Sequence, residues 1–77
     1  MTGAQLRAII DRLSTTDVTV ARKAGYSRQY LSRLARSGDN LLPADSSRVI
    51  LSALLTISRD AAAVYLELTG QPIEVAS

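Results

Sequence analysis

A chain of 77 residues holds one domain, and at that size only about 60% of the unfolded surface can be buried, so stability is marginal without an aid such as a partner subunit. An apolar fraction of 47% is too high for a disordered chain, while the absence of Cys and His removes disulfides, thiolate zinc sites and the commonest general base. The net charge is only +2, but residues 1–36 carry seven Lys/Arg against two Asp/Glu and residues 37–77 carry two against five, a basic half on a mildly acidic one.

Thr2 followed by Gln5 reads as a capping box, and Leu6, Ile9, Ile10 and Leu13 then repeat at helical spacing, which predicts a first helix over about 3–13. Ser14-Thr15-Thr16 breaks the pattern, because hydroxyl side chains compete for backbone hydrogen bonds. Thr16 caps a second helix, about 17–24, with Asp17 in its first turn; Val20, Ala21 and Ala24 face inward and Arg22 and Lys23 outward. Gly25 can take the left-handed conformation that stops a helix sharply. Tyr26 follows as an apolar plug of the turn, and Ser27 caps a third helix, about 28–37, with Gly38 at its end. Leu31 and Leu34 lie inward with Ala35 beside them, so Gln29, Arg33 and Arg36 fall on the opposite side, Ser32 on the flank and Arg28 at the tip.

The stretch 38–43 is a loop rich in turn formers. Asp45 or Ser46 is expected to cap a fourth helix, about 46–56, and Ser58 a fifth, about 59–69, with Gly70 after it. Val49, Leu51, Leu55 and Leu66 are left over from the inward stripes, which suggests a subunit interface in the C-terminal half. The tail 71–77 alternates apolar and polar residues after Pro72; a short strand paired across a dimer, an arm over the core and a frayed end all fit. The expected fold is all-α, a compact bundle of about five short helices in a single domain.

No apolar run approaches the ~20 residues of a membrane span. The N-terminal MTGAQLRAI lacks the apolar segment of a secretory signal, so a cytoplasmic chain is expected, in a bacterium or in the host cell of a phage. With no His, no Cys and no acid pair placed to form a pocket, no enzyme, metal, cofactor or small-molecule ligand is expected.

Five basic residues, Arg22, Lys23, Arg28, Arg33 and Arg36, fall between positions 22 and 36 with no acid among them. Charge alone is more often a solvated surface than a binding face. The frame around it is more specific. Ala21 is small where two helices must meet, Gly25 turns the chain four residues later, and Leu31 and Leu34 are apolar six and nine residues after the glycine. These matches predict a helix-turn-helix formed by the second and third helices.

Over residues 16–38 the run Ala21-x-x-Ala24-Gly25-Tyr26-Ser27-Arg28-Gln29-Tyr30-Leu31-Ser32-Arg33-Leu34 resembles the lambda-repressor-like helix-turn-helix domains, the phage Cro and repressor group with its bacterial regulator relatives. The five-helix layout extends the resemblance loosely to about residue 69. The chain departs from the group at Ala35, where many members have Glu, at the Ser37-Gly38 ending, which is one residue longer than usual, and at Asp17, where Gln is common and touches phosphate. The resemblance implies that the third helix enters the major groove N-terminus first. The positions it matches to base contact are Ser27, Arg28, Gln29, Ser32 and Arg33; those left for phosphate are Thr16, Thr19, Arg22, Lys23, Tyr30, Arg36 and Asn40. It implies a repressor of phage or integrated-element origin that acts as a homodimer on a palindromic operator in double-stranded DNA; the apolar surplus points to the C-terminal half as the place where the copies meet, and no segment is left over to sense a ligand. Two other readings keep the fold: an interaction module, such as an antitoxin or a captor of a host factor, and an excision or architectural factor that bends DNA.

Overall fold

The computed structural model describes residues 1–73 and folds them into five helices: α1 Gly3–Arg12, α2 Asp17–Ala24, α3 Arg28–Ala35, α4 Ala44–Ile57 and α5 Ala61–Thr69. The all-α expectation holds, and no strand forms among the described residues. Extended backbone pairs at one isolated antiparallel bridge, between Thr2 and Leu41.

The capping box of α1 is formed. Thr2 Oγ1 accepts from the Gln5 N–H at 3.1 Å, and Gln5 Oε1 accepts from the Thr2 N–H at 2.9 Å. The helix stops after Arg12, with Ser14 in the left-handed region at φ 54°. A non-glycine residue there carries strain; the Ser14 N–H donates to the Asp11 carbonyl and the Thr15 N–H to the Ile10 carbonyl, each at 3.2 Å, across the turn.

Besides shifts of one residue at the ends of α1 and α4, three boundaries differ from the sequence pattern. Helix α3 ends at Ala35, and Arg36 and Ser37 continue as turns into Gly38 at φ 65°. Helix α4 starts at Ala44, and neither Asp45 nor Ser46 caps it: Pro43 occupies the cap position with no side-chain bond, and Ser46 is buried inside the helix. The Ser47 N–H donates to the Pro43 carbonyl at 2.9 Å, the first bond of a helix that begins earlier than the hydroxyls suggest. Helix α5 starts at Ala61; Ser58 Oγ accepts from the Asp60 N–H at 3.2 Å and closes a turn ahead of the helix instead.

The largest fully buried side chains are Leu6, Ile9 and Ile10 of α1, Val20 of α2, Leu31 of α3, and Ile50 and Leu54 of α4. Helix α4, at 14 residues, is the longest; about 21 Å of helix nearly spans a molecule 27 × 25 × 24 Å across. It packs on α2 and α5, α1 packs on α3 and α5, and α2 packs on α3. Leu51, assigned to the apolar surplus by its position, is instead buried in the core. Val49 and Leu66 do stay exposed. In the tail, Ile73 packs partly buried against the core, which suits an arm; residues 74–77 of the expected tail lie outside the described residues.

The first residues are clasped to the loop after α3. The Gly3 N–H donates to the Asn40 carbonyl, the Ala4 N–H to the Gly38 carbonyl and the Leu42 N–H to the Met1 carbonyl, at 3.2, 2.8 and 3.0 Å. Gly3 lies so close to α3 that a Cβ there would collide with Ser37 Oγ and the Leu34 carbonyl oxygen. This approach fixes the C-terminal end of α3 against the start of α1.

Candidate nucleic-acid interface

Thr16 starts α2 by accepting the Thr19 N–H on its hydroxyl at 3.2 Å, and the two threonine hydroxyls are bonded at 2.9 Å. The helix ends at Gly25, φ 80°, where the Tyr26 N–H reaches back to the Ala21 carbonyl at 2.9 Å and the Gly25 N–H to the Arg22 carbonyl at 3.3 Å. That pair of bonds is a Schellman ending, which satisfies carbonyls a helix otherwise leaves open. No atom lies within 4 Å of where a Gly25 Cβ would be, so glycine is required by the backbone angle and not by space.

Two residues later Ser27 Oγ accepts the Tyr30 N–H at 3.1 Å and starts α3. Leu31, Leu34 and Ala35 turn into the core. The Tyr26 and Tyr30 rings meet edge to face at 5.0 Å between centroids, closing the turn from the side, a geometry aromatic pairs favour.

With the apolar stripe fixed inward, Arg28, Gln29, Arg33 and Arg36 stand exposed on the other side. Together with Ser32 and Ser37 they line a shallow open depression along α3. The depression therefore gathers four of the five residues matched to base contact, Arg28, Gln29, Ser32 and Arg33, and one of the phosphate set, Arg36. Ser27 lies at the cap of α3, Thr16 and Thr19 at the start of α2, Arg22 and Lys23 in its last turn, and Asn40 on the loop beyond α3. The positive charges of Arg22 and Lys23 also meet the negative end of the α2 dipole.

Several of these groups already have partners. The Tyr30 hydroxyl bonds Ser46 Oγ at 2.8 Å, joining α3 to α4. The Ser32 hydroxyl donates to Asp17 Oδ2 at 2.9 Å, and Asn40 Nδ2 donates to the Ser37 carbonyl at 2.9 Å. The cations sort more sharply. Arg7 is paired with Asp11 and Asp17, and Arg12 with Glu67 at 2.7 Å. Among the described residues, Arg22, Lys23, Arg28, Arg33 and Arg36 have no acid within 4 Å. The basic half thus spends two of its arginines on ion pairs and leaves five charges open to solvent, on α2, on α3 and at the cap just beyond α3. The Arg7–Asp17–Ser32 cluster and the Gly3 approach were not singled out by sequence; the first joins residues ten and fifteen positions apart and carries no periodic signal.

Among the described residues, no group of three or more His, Cys, Asp or Glu is placed to hold a metal ion, and no helix is long and apolar enough to cross a membrane. No protein-family model, curated protein or solved structure matches the chain.

Proposed function

We propose that the chain is a sequence-specific DNA-binding regulator of transcription that lays α3 in the major groove. The observation that carries this reading is the run of five exposed cations between positions 22 and 36, none with an acid partner among the described residues and two of them flanking Gln29 on the outer face of α3. Unpaired cations can replace the counterions that surround DNA, which gives sequence-independent affinity. Arg28 and Arg33 can each donate two hydrogen bonds to the O6 and N7 of guanine, and Gln29 can pair with the N6 and N7 of adenine. The buried Leu31 and Leu34 keep these side chains on a rigid element, so that the pattern they present is fixed.

One such helix contacts too few bases to select a site in a genome, so the protein acts as a homodimer on a palindrome. The apolar groove lined by Leu55, Ala62, Ala63, Leu66, Pro72 and Ile73 supports that part of the reading. Occupying a promoter in this way represses transcription. In vitro selection from a pool of random duplexes tests the proposal: recovery of a palindrome whose half-sites lie about one helical turn, roughly 34 Å, apart is the expected result. Recovery of no preferred sequence, or of a bent site without two-fold symmetry, would reject it.

A further inference from the structure

Arg7 belongs to the basic half of the chain but is not among its open charges. Its Nη1 lies 2.9 Å from Asp17 Oδ1 and 3.2 Å from Oδ2, and its Nη2 lies 3.2 Å from Asp11. The contact to Oδ1 is one of charge, since Oδ1 is buried and accepts no aligned hydrogen bond, whereas Oδ2 accepts from both Arg7 and Ser32. One carboxylate thus ties α1, α2 and α3 together. Ser32 lines the depression along α3, so the carboxylate stands one hydrogen bond from that surface and the Arg7 guanidinium one contact further. The Arg7 side chain is 40% exposed and that of Asp17 21%, so the guanidinium is within reach of solvent and held by its partner.

Resting on the DNA-binding reading, we propose that Asp17 is a positioning residue that sets the selectivity of this surface: it withholds the Arg7 guanidinium from phosphate and the Ser32 hydroxyl from the bases. Readout is then left to Arg28, Gln29 and Arg33. Without the charge at position 17, Arg7 keeps only the exposed pair with Asp11 one turn on, which is worth little in water, and can turn to a phosphate; a phosphate contact carries no sequence information. Random DNA gains the most from that contact, because unselective binding samples every register and settles where the guanidinium reaches. A complex locked in one register by its base contacts gains less.

The test is the salt dependence of binding to a duplex of random sequence and to the duplex recovered by selection. Asp17→Asn keeps an acceptor for Ser32 and removes the more buried of the two carboxylates that hold Arg7, leaving the exposed Asp11. It is expected to steepen the slope of log K against log salt by about 0.9, which amounts to about eightfold tighter binding of random duplex at 0.1 M than at 1 M salt relative to wild type. The preference for the selected duplex falls accordingly. The double variant Arg7→Gln with Asp17→Asn is expected to return the slope to the wild-type value, which separates release of Arg7 from mere loss of a repulsive acid. Arg7→Gln alone is expected to leave the slope unchanged, and it decides the matter even where Asp17→Asn does not fold by circular dichroism. A wild-type slope in folded Asp17→Asn, a steep slope retained in the double variant, or a slope lowered by about one in Arg7→Gln each overturns the inference while leaving the DNA reading intact. Failure of the wild-type protein to bind either duplex at low salt overturns both.

Discussion

Single residues in this chain do two kinds of work that look alike in sequence. Arg28 and Arg7 are both basic and both lie on helices, yet Arg28 stands exposed beside the α3 depression and Arg7 is bound to two carboxylates. Arg28→Ala should cost roughly 1–3 kcal/mol of binding and relax selection at one base pair, whereas Arg36→Ala should weaken binding to all sequences alike and lower the salt slope by about one. Competition titrations against duplexes altered one base pair at a time separate the two outcomes. Gly3 shows the opposite case, in which the function of a residue is to have no side chain. Gly3→Ala pushes a methyl group into Ser37 and the Leu34 carbonyl, and overpacking of this kind costs about 1–3 kcal/mol. Thermal unfolding should register it as a clear fall in the midpoint. The exposed side of α3 was legible from spacing alone, because Leu31 and Leu34 fix which way the helix faces. The role of Gly3 was not, since it depends on where α3 ends up.

At the level of elements, the α2–α3 pair is held by the Schellman ending at Gly25, the hydroxyl caps of Thr16 and Ser27, the tyrosine pair at the turn and the Ser32–Asp17 hydrogen bond. The caps and the glycine announce themselves in sequence because they act on their own neighbours. The Tyr30–Ser46 bond does not, and it misled the placement of α4: a serine that looks like a cap is buried as the partner of a tyrosine sixteen residues earlier. Tyr30→Phe leaves the Ser46 hydroxyl without that partner, which should cost roughly 1–3 kcal/mol of stability. With its hydroxyl directed to α4, Tyr30 is expected to add nothing to the salt slope, so the same variant should bind DNA with the wild-type slope; a decrease of about one would show the hydroxyl on a phosphate.

On the scale of the molecule, charge and apolar surface are segregated. Among the described residues, five of the seven exposed cations without an acid partner lie on α2, on α3 and just past its end, with Arg48 and Arg59 the other two, while the groove bounded by Leu55, Ala62, Ala63 and Leu66 lies on α4 and α5. Helix α5 has one charged residue, Glu67, and Glu67 is spent on Arg12, so its outer side offers little to water. In the proposed dimer, Leu66→Glu should shift sedimentation equilibrium toward monomer and weaken operator binding, with the monomer still folded because Leu66 is about half exposed in the single chain. The apolar surplus was visible in sequence, but its membership was not: Leu51 goes inward and Val49 stays out, two residues apart on the same helix. Periodicity gives the stripe of a helix; which residues at its edges are covered depends on neighbours contributed by other helices.

The clasp between the first four residues and the loop 38–42 has a consequence for the order in which the fold assembles. Its hydrogen bonds join residues more than thirty positions apart, so closing it carries the entropy of a long loop, while the turns of α2 and α3 form between near neighbours. The α2–α3 unit should therefore be structured before the clasp closes, and the clasp should open without melting that unit. Amide hydrogen exchange reads this directly: the Ala4 and Leu42 N–H groups are expected to exchange through a small local opening, well ahead of the buried Leu31 N–H, which waits for unfolding of the whole chain. The end of α3 that leads into the Asn40 loop then has a breathing motion of its own, timed by a strap made by the first four residues of the chain.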